Sequence, residues 1–269
     1  MTERLTTCAT WDQRWDKIQI PSEFQIGGHS LIMTEILRTV DRWLPKQPGL
    51  SAMEIGGAVG QYLAFMHRHF GYDIHCMDYS PVGCGKTEEN FRRLGIPGQV
   101  RQSDLFSESP AKPEFDIVYS MGFVEHFTDL DDVIGRHLAY LKPGGTLMIG
   151  VPHFAGLNLA FLRRLAPRRV SQHYLETMDI RRWDSFERRF CLERIYRGYL
   201  GGLHAGMYYT CEDPTWRNRL LKMVAGGCKL LFDNRLLYPH IFAKINFRCT
   251  SCFAIGVWRK PLAVEASPG

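Results

Sequence analysis

The alternation of short apolar runs with helical patterns is the feature that most narrows what this chain of 269 residues can fold into. Five runs have the length and composition of buried strands, and the segments between them carry apolar residues at three- and four-residue spacing. This repetition predicts a parallel β-sheet with helices on both faces. The strands are expected at 50–55, 73–77, 99–102, 115–120 and 146–151, and the helices at 61–70, 85–94 and 130–141.

Segments on both sides of this core are predicted to complete the sheet and cover it. Residues 30–44 should form an amphipathic helix that Ser30 caps and Pro45 ends. The predicted fold is an α/β Rossmann-like one, with a seven-stranded, mostly parallel sheet and a helical insertion in the C-terminal half. After residue 151, strands are expected at 191–200 and 250–259, and helices at 157–165 and 215–232.

Composition excludes several classes of protein. A hydrophobic fraction of 45% and a charged fraction of 23% argue against a disordered chain. No run approaches the ~18 apolar residues of a membrane-spanning helix, and Met1–Thr10 lacks the apolar centre of a secretory signal. The 8 cysteines have no framework spacing, which favours a reducing compartment. We therefore expect a folded, cytoplasmic protein.

Charge is divided unevenly along the chain. Residues 1–150 hold 14 lysines and arginines against 19 acidic residues, a net charge of −5, whereas residues 151–260 hold 19 against 8, a net charge of +11. A basic half of this size indicates an anionic substrate, an anionic membrane surface or nucleic acid as its partner. A solvated basic face without a partner is the alternative.

The segment Met53-Glu54-Ile55-Gly56-Gly57-Ala58-Val59-Gly60 ends the first predicted strand. Glycines at such a turn let a ligand approach the backbone, and the following helix offers free N–H groups. The dinucleotide fingerprint G-x-G-x-x-G is not met, because Ala58 takes the place of its second glycine. Asp78 ends the second strand and Asp104 the third, so acidic side chains at three strand ends should share one edge of the sheet.

Taken together, these motifs resemble the class I S-adenosylmethionine-dependent methyltransferases of the small-molecule type. The likeness covers about residues 50–151, and its strength lies in the order and spacing of the motifs. That family usually has glycine where this chain has Ala58. The matching segments are Glu54 to Gly60, Asp78, Ser103-Asp104, Phe115-Asp116-Ile117-Val118, Glu125-His126-Phe127 and Leu141-Lys142-Pro143-Gly144-Gly145.

The resemblance implies S-adenosylmethionine as the cofactor and gives each matching residue a role. Glu54 would organise the methionine end, and Asp78 would hold the ribose. Helix capping by Glu54 and turn formation by Asp104 are the structural alternatives. Of the other implied contacts, Gly56, Gly57 and Gly60 would let the cofactor lie against the backbone, Tyr79 would flank the adenosine, Ser103, Asp104 and Leu105 would frame the adenine, and the backbone at Ser120 and Met121 would meet the amino acid portion.

The resemblance also suggests how the chain is divided. Trp11 and Trp15 resemble an amino-terminal lid found in several small-molecule methyltransferases, although two tryptophans four residues apart also pack well on a helical turn. The expected parts are an N-terminal helical lid region at 1–45, an S-adenosylmethionine-binding core at 46–151, an acceptor-site insertion with closing strands at 152–260, and a tail at 261–269.

Methyl transfer to a hydroxyl group needs a base, and histidine is the usual residue for that role near neutral pH. His126, after the fourth strand, is the first candidate, although it could instead order its loop by hydrogen bonding. His153, just after the fifth strand, is the second candidate. His173, Tyr174 and His204 lie in the variable region where this family builds acceptor sites.

No metal site is predicted. Cys249 and Cys252 form a single CxxC pair without a second. His67 and His69 point in different directions on a helix. The small-RNA-terminal methyltransferases would carry a glutamate at Gly122 as a metal ligand, and this chain does not.

The predicted function is transfer of a methyl group from S-adenosylmethionine to a small molecule, at oxygen, with an anionic, carrier-linked or lipid-linked acceptor. An RNA methyltransferase is one alternative, since arginines alternate with aromatic residues in Arg194-Ile195-Tyr196-Arg197-Gly198-Tyr199, but a nucleic acid partner is not favoured. A non-catalytic cofactor-binding protein is the other. The basic, apolar segment 216–232, interrupted by Gly226 and Gly227, could rest on a membrane surface or cover the core. The sequence leaves the oligomeric state open.

Overall fold

The structure is a computed structural model. It describes residues 2–28, 31–107, 109–201, 211–232, 241, 244 and 246–262, with side chains for all of these except 225 and 228–232. The predicted cap Ser30, the candidate His204 and most of the predicted tail therefore lie outside the described residues.

Seven strands form one sheet in the order β3-β2-β1-β4-β5-β7-β6. The first five strands run parallel, and β7 is antiparallel to both β5 and β6. This arrangement confirms the predicted seven-stranded, mostly parallel sheet. The strands are β1 Ser51–Ile55, β2 Asp73–Asp78, β3 Gly98–Gln102, β4 Phe115–Met121, β5 Leu141–Pro152, β6 Glu193–Leu200 and β7 Phe253–Arg259.

Helices cover the sheet and form the predicted insertion around β6. The α-helices of the described residues are α1 Cys8–Asp16, α2 Leu31–Trp43, α3 Gln61–Phe70, α4 Pro81–Leu94, α5 Leu130–Tyr140, α6 Gly156–Leu165, α7 Pro167–Ser171, α8 Asp184–Arg189 and α9 Trp216–Phe232. Short 3₁₀ turns occupy Val124–His126 and Ile180–Trp183. In the same described part of the chain, no helix combines the length and the apolar character that crossing a membrane requires.

Strand β5 begins at Leu141, five residues before the predicted 146. Helices α4 and α9 differ from their predicted forms for local physical reasons. Helix α4 begins four residues early, at Pro81, because the Ser80 hydroxyl accepts the Gly83 amide at 2.9 Å and proline suits a first helical position. Helix α9 runs unbroken through Gly226 and Gly227, which were expected to interrupt it. Glycine lowers helix propensity by only about 1 kcal/mol per residue, so neighbouring residues can override it.

A hydrophobic core lies on each face of the sheet. The last three strands are tied to the insertion by a buried polar contact, in which Trp258 of β7 donates its indole N–H to Glu187 of α8 at 2.8 Å. Arg197 of β6 also pairs with Glu187, at 3.0 Å. These contacts hold α8 of the insertion against β6 and β7.

Candidate active site

A cavity of about 310 Å³ opens at the carboxyl edge of the parallel strands. Its size falls in the range of small-molecule sites, and its place is where open α/β sheets bind ligands. Ten of the predicted site residues line it: Glu54, Gly56, Gly57, Asp78, Tyr79, Ser103, Asp104, Leu105, Met121 and His126. Three others, Gly60, Ser120 and His153, do not line it.

Glu54 is a buried acid of the cavity wall, with 3% of its surface exposed. Burial raises its pKa well above the ordinary value, while the Tyr119 hydroxyl donates to Oε2 at 3.1 Å and acts in the opposite sense. Gly57 packs against it so closely that an added Cβ would lie 2.8 Å from the Glu54 Cβ. The carboxyl group is thus held rigidly at the end of β1, facing the cavity.

Asp78 is held by backbone amides at the end of β2. Its Oδ1 accepts the Ser80 amide at 2.9 Å and its Oδ2 accepts the Ala58 amide at 3.3 Å. Burial nevertheless raises the pKa of Asp78 to about 6. The amide of Ala58 is available whatever its side chain, so the residue that replaces the usual glycine still orients this carboxylate.

Asp104 carries a partner that the sequence analysis did not anticipate. The guanidinium group of Arg4 lies 2.6 Å from its Oδ1 and stacks over the Tyr79 ring at 4.6 Å. Partial burial would raise the pKa of Asp104, but the Arg4 guanidinium and the Phe106 amide hold it below its ordinary value. An N-terminal arginine therefore covers the part of the cavity expected to frame the adenine.

Two glycines of the turn between β1 and α3 have different structural roles. At Gly56, φ is +71° and an added Cβ would lie 2.4 Å from Cδ2 of Phe123, so only glycine lets the backbone pack this closely on the Phe123 ring in the cavity wall. At Gly60, φ is +77° and an added Cβ would lie 2.6 Å from the ring of Phe91. Gly60 thus serves the packing of α3 on α4 and is not placed to contact a cofactor.

The side chain of Ser120 lies away from the cavity. It is fully buried, and its hydroxyl lies 3.1 Å from Nε2 of His137 on α5. Burial lowers the pKa of His137 to about 4. Of the predicted pair, Met121 alone reaches the cavity.

His126 lies at the end of the cavity away from the cofactor residues described above, and one of its ring nitrogens carries no proton. Its Nδ1 donates to the carbonyl oxygen of Gln172 at 2.7 Å, which leaves Nε2 as the acceptor. His173, whose ring centroid is 4.6 Å away, likewise donates from Nδ1, to the carbonyl oxygen of Arg169 at 2.6 Å. Burial lowers the pKa of His126 to about 4 and that of His173 to about 3, so both rings are neutral at physiological pH.

Glu125 completes this cluster. Its Oε1 lies 3.8 Å from Nε2 of His126, and its Oε2 is buried without a hydrogen-bond partner in the described chain. Burial raises the pKa of Glu125 to about 8, so the carboxyl group is protonated at neutral pH. A protonated carboxyl group is a hydrogen-bond donor, and here it is aimed at the space beside two neutral imidazoles.

His153, the second candidate base, is excluded from that role by its contacts. Both ring nitrogens face carbonyl oxygens at 2.8 Å, Nδ1 that of Met178 and Nε2 that of Arg248. It has no free nitrogen with which to take a proton. It fastens the insertion to the turn before β7.

Helix α1 forms a wall over the cavity. Trp11 stacks on Trp15 with ring centroids 5.3 Å apart, and Trp11 meets the His126 ring edge-on at 5.0 Å. The indole N–H of Trp15 is buried and has no hydrogen-bond partner in the described residues. The two tryptophans therefore pack on each other and also line the cavity.

Two arginines join the histidine end of the cavity. Arg14 lies over the Trp11 ring at 5.3 Å, and Arg169 over the Phe154 ring at 5.7 Å. Arg14 as a residue is exposed, yet its guanidinium is desolvated enough to lower the pKa. Burial lowers the pKa of Arg169 as well, and the charge of Arg14 adds to that effect.

Glu125, His126 and His173 offer ligand atoms that all lie within 4.8 Å of one another. No metal site was predicted from the sequence. This grouping was not expected, because His173 is distant in sequence from the other two residues and carries no motif. Both imidazoles have the free Nε2 and the Nδ1 hydrogen bond typical of metal ligands. The neighbouring Arg14 and Arg169 guanidinium groups oppose a divalent cation at this position.

The cofactor predicted from the motifs fits this cavity. Several buried polar atoms of its wall lack partners within the described residues, among them Trp15 Nε1, Ser103 Oγ and Glu125 Oε2. A native structure rarely leaves such atoms unsatisfied unless something binds there. The wall also carries acids at three strand ends and, at position 56, a glycine without a side chain. An elongated, cationic molecule with a ribose can make the contacts it needs there.

A family model described as a methyltransferase domain matches residues 29–193, more than half of the chain. The chain therefore belongs to this family of S-adenosylmethionine-dependent methyltransferases, as the motif series predicted.

Among curated proteins, the chain is 29% identical over 100 residues to a ubiquinone biosynthesis O-methyltransferase of Paramagnetospirillum magneticum, covering 37% of this chain and 39% of that protein. It is 25% identical over 122 residues to a sarcosine/dimethylglycine N-methyltransferase of Aphanothece halophytica, covering 43% and 44%. The chain thus spans less than half the length of these relatives. A methyltransferase of Thiobacillus denitrificans solved with S-adenosyl-L-homocysteine has the same fold, with a TM-score of 0.55, 14% identity and coverage of 96% and 98%.

The arginines that favoured an RNA partner are engaged inside the protein. Arg197 pairs with Asp184 at 2.7 Å and with Glu187 at 3.0 Å, and only 14% of its side chain is exposed. Arg194 pairs with the same two acids. Both guanidinium charges are thus compensated by Asp184 and Glu187.

Proposed function

We propose that this protein transfers a methyl group from S-adenosylmethionine to a hydroxyl oxygen of a small, anionic acceptor. The single observation that carries the proposal is the hydrogen bond from His126 Nδ1 to Gln172, because it leaves a neutral Nε2 facing the cavity. The relatives include both O- and N-methyltransferases, so the choice of oxygen rests on this histidine.

When bound, S-adenosylmethionine supplies an electrophilic methyl group. Glu54, Asp78 and Asp104 would hold it along the strand ends. His126 would accept the proton of the acceptor hydroxyl at Nε2, and its fixed Nδ1–H would keep that nitrogen in the correct tautomer. Protonated Glu125 would donate a hydrogen bond to the acceptor, and the tryptophans of α1 would exclude water.

The anionic character of the acceptor is argued from Arg14 and Arg169. Two guanidinium groups close enough to influence each other, on the wall that carries the candidate base, create a positive potential at that end of the cavity. A carboxylate or phosphate is the group that guanidinium binds best. A lipid or carrier attached through phosphate would satisfy the same contacts.

The test is methylation of matched acceptor pairs by the purified protein. Each pair consists of a hydroxylated compound with a carboxylate or phosphate and its neutral ester or alcohol, and mass spectrometry locates the new methyl group. We expect O-methylation of the anionic member. Methyl on nitrogen or carbon, or preference for the neutral member, would contradict the proposal.

An arginine variant separates acceptor binding from cofactor binding. Arg14→Gln should raise KM for the anionic acceptor about tenfold or more and leave cofactor affinity unchanged, since a hydrogen bond to a charged group contributes about 1.5–3 kcal/mol. Arg163→Gln, on the exposed side of α6, is the matched control.

A further inference from the structure

Helix α9 turns apolar side chains toward solvent. Trp216 is 71% exposed, Leu220 52%, Met223 72% and Val224 51%. These are large apolar residues on a single helix, and a protein that only needs to stay in water rarely groups them there.

Their spacing places them on one outward stripe. Trp216, Leu220 and Met223 follow i, i+4, i+7 spacing, and Val224 borders them on the same side. The opposite side of the helix faces the protein. There Asn218 is 1% exposed and donates to the carbonyl oxygen of Asp213 at 2.7 Å, and Leu221 packs against the core. The usual polarity of a surface helix is thus reversed, because its exposed side is the apolar one.

Cations flank this stripe. Arg217 lies beside it on one side, with its guanidinium over the Trp216 ring at 5.3 Å, and Arg219 and Lys222 follow on the other. All three are exposed, and none makes an ion pair within the described residues. Residues 214–232 contain no acidic side chain. Long basic side chains at the edge of an apolar stripe can bury their methylene groups while their charges reach anionic headgroups.

From this arrangement we infer that α9 is a docking surface for an anionic phospholipid bilayer. The helix would lie in the plane of the interface, with the stripe of Trp216, Leu220, Met223 and Val224 in the acyl boundary and the cations among the headgroups. A second copy of the chain fits this surface poorly. A two-fold contact through α9 would bring the same uncompensated cations together from both copies. The inference does not depend on the proposed methyl transfer.

The test is co-sedimentation of the full chain with extruded vesicles of phosphatidylcholine, with and without phosphatidylserine. We expect binding that requires phosphatidylserine and weakens as salt rises, because the headgroup attraction is screened. The double variant Leu220→Ala/Met223→Ala should reduce partitioning about tenfold or more, since it removes apolar contact area. Arg217→Gln/Arg219→Gln should reduce it about fivefold per arginine.

Matched controls lie elsewhere on the surface. Leu262→Ala removes an exposed leucine after β7, and Arg92→Gln/Arg93→Gln removes two exposed arginines from α4; neither should change vesicle binding. Circular dichroism and the melting temperature check that each variant is folded.

Two results would overturn the inference. One is equal vesicle binding by the wild type and by the Leu220→Ala/Met223→Ala double variant (the stripe variant), with vesicles of either composition. The other is a wild-type dimer in sedimentation velocity that the stripe variant converts to monomer, which would assign the surface to a second copy. Methyl transfer to a water-soluble acceptor should be the same in the stripe variant, so failure of the docking inference and failure of the proposed function can be told apart.

Discussion

The guanidinium group of Arg4 lies 2.6 Å from the Asp104 carboxylate, although 100 residues separate them in sequence. The next residue, Leu5, donates its amide to the carbonyl oxygen of His126 at 2.9 Å. One N-terminal strap therefore touches the strand end expected to frame the adenine and the loop that carries the candidate base.

The ion pair between Arg4 and Asp104 should contribute to cofactor affinity. Arg4→Gln should weaken binding of S-adenosyl-L-homocysteine by up to about fivefold, because the ion pair is partly exposed and such pairs contribute up to about 1 kcal/mol. Isothermal titration calorimetry measures the affinity. Arg92→Gln, which breaks an exposed ion pair with Glu89 on α4, is the control. An Arg4→Gln variant that bound more tightly would mean that the strap competes with the cofactor.

Asp78 should contribute more to cofactor affinity than Arg4 does. Asp78→Ala is expected to weaken cofactor binding by an order of magnitude or more, since a hydrogen bond to a charged group is worth roughly 1.5–3 kcal/mol. Asp73→Ala, at the exposed start of the same strand, should leave the affinity unchanged in the same calorimetric titration. Equal affinities for the Asp78 variant and the wild type would remove the ribose assignment.

Removal of the candidate base should affect turnover and leave binding intact. His126→Ala is expected to lower kcat by ~10²-fold or more with little change in cofactor affinity. Because the pKa of His126 is about 4, the neutral form needed to accept a proton is present above that value. With cofactor and acceptor saturating, so that protonation of Asp78 near pH 6 does not limit cofactor binding, kcat of the wild type should therefore fall on the acid side only as the pH drops toward 4. A rate that falls already below pH 7 would point to a different base.

Acid should destabilise the fold through the buried histidines. Burial lowers the pKa of His137 from 6.5 to about 4, so the unfolded chain binds a proton over that interval and the folded chain does not. The stabilising contribution is complete above pH 6.5 and is lost as the pH falls toward 4, by about 3 kcal/mol. Urea unfolding from pH 7 to pH 4 measures the slope. His137→Phe should give a flatter dependence, and an unchanged slope would show that His137 titrates normally.

Chelation tests whether a metal ion activates the acceptor. If His126 Nε2 takes the proton directly, treatment with EDTA followed by gel filtration should leave turnover unchanged, and the guanidinium groups of Arg14 and Arg169 give a reason to expect this. Loss of turnover that a divalent ion restores would instead assign Glu125, His126 and His173 to a metal site.

The cofactor end of the site could be predicted from the sequence because its determinants are local. A strand, a glycine turn and an acid at the strand end form a short continuous pattern, and parallel pairing brings successive strand ends to one edge. Glu54, Asp78 and Asp104 accordingly line one cavity. Gly60 shares the same pattern but serves helix packing, since a motif does not say which of its glycines faces a ligand.

The acceptor end could not be predicted in this way. His173 reaches His126, and Arg169 reaches the same cavity, from a helix and turn more than 40 residues further along the chain. Only the two carbonyl partners of His153 distinguish it from His126 as a candidate base. The solvent-facing stripe of α9 is a similar case. Its pattern is amphipathic in the sequence, but only packing determines which side turns outward.

By itself, the sequence determined the order of the strands and of the helices between β1 and β5, the family and the acids of the cofactor edge, because periodicity and turn chemistry are properties of neighbouring residues. Only the tertiary structure decided which histidine keeps a free nitrogen, which arginines meet at the cavity and which side of α9 faces solvent. These outcomes depend on burial and on partners from distant segments, and local pattern carries no information about either.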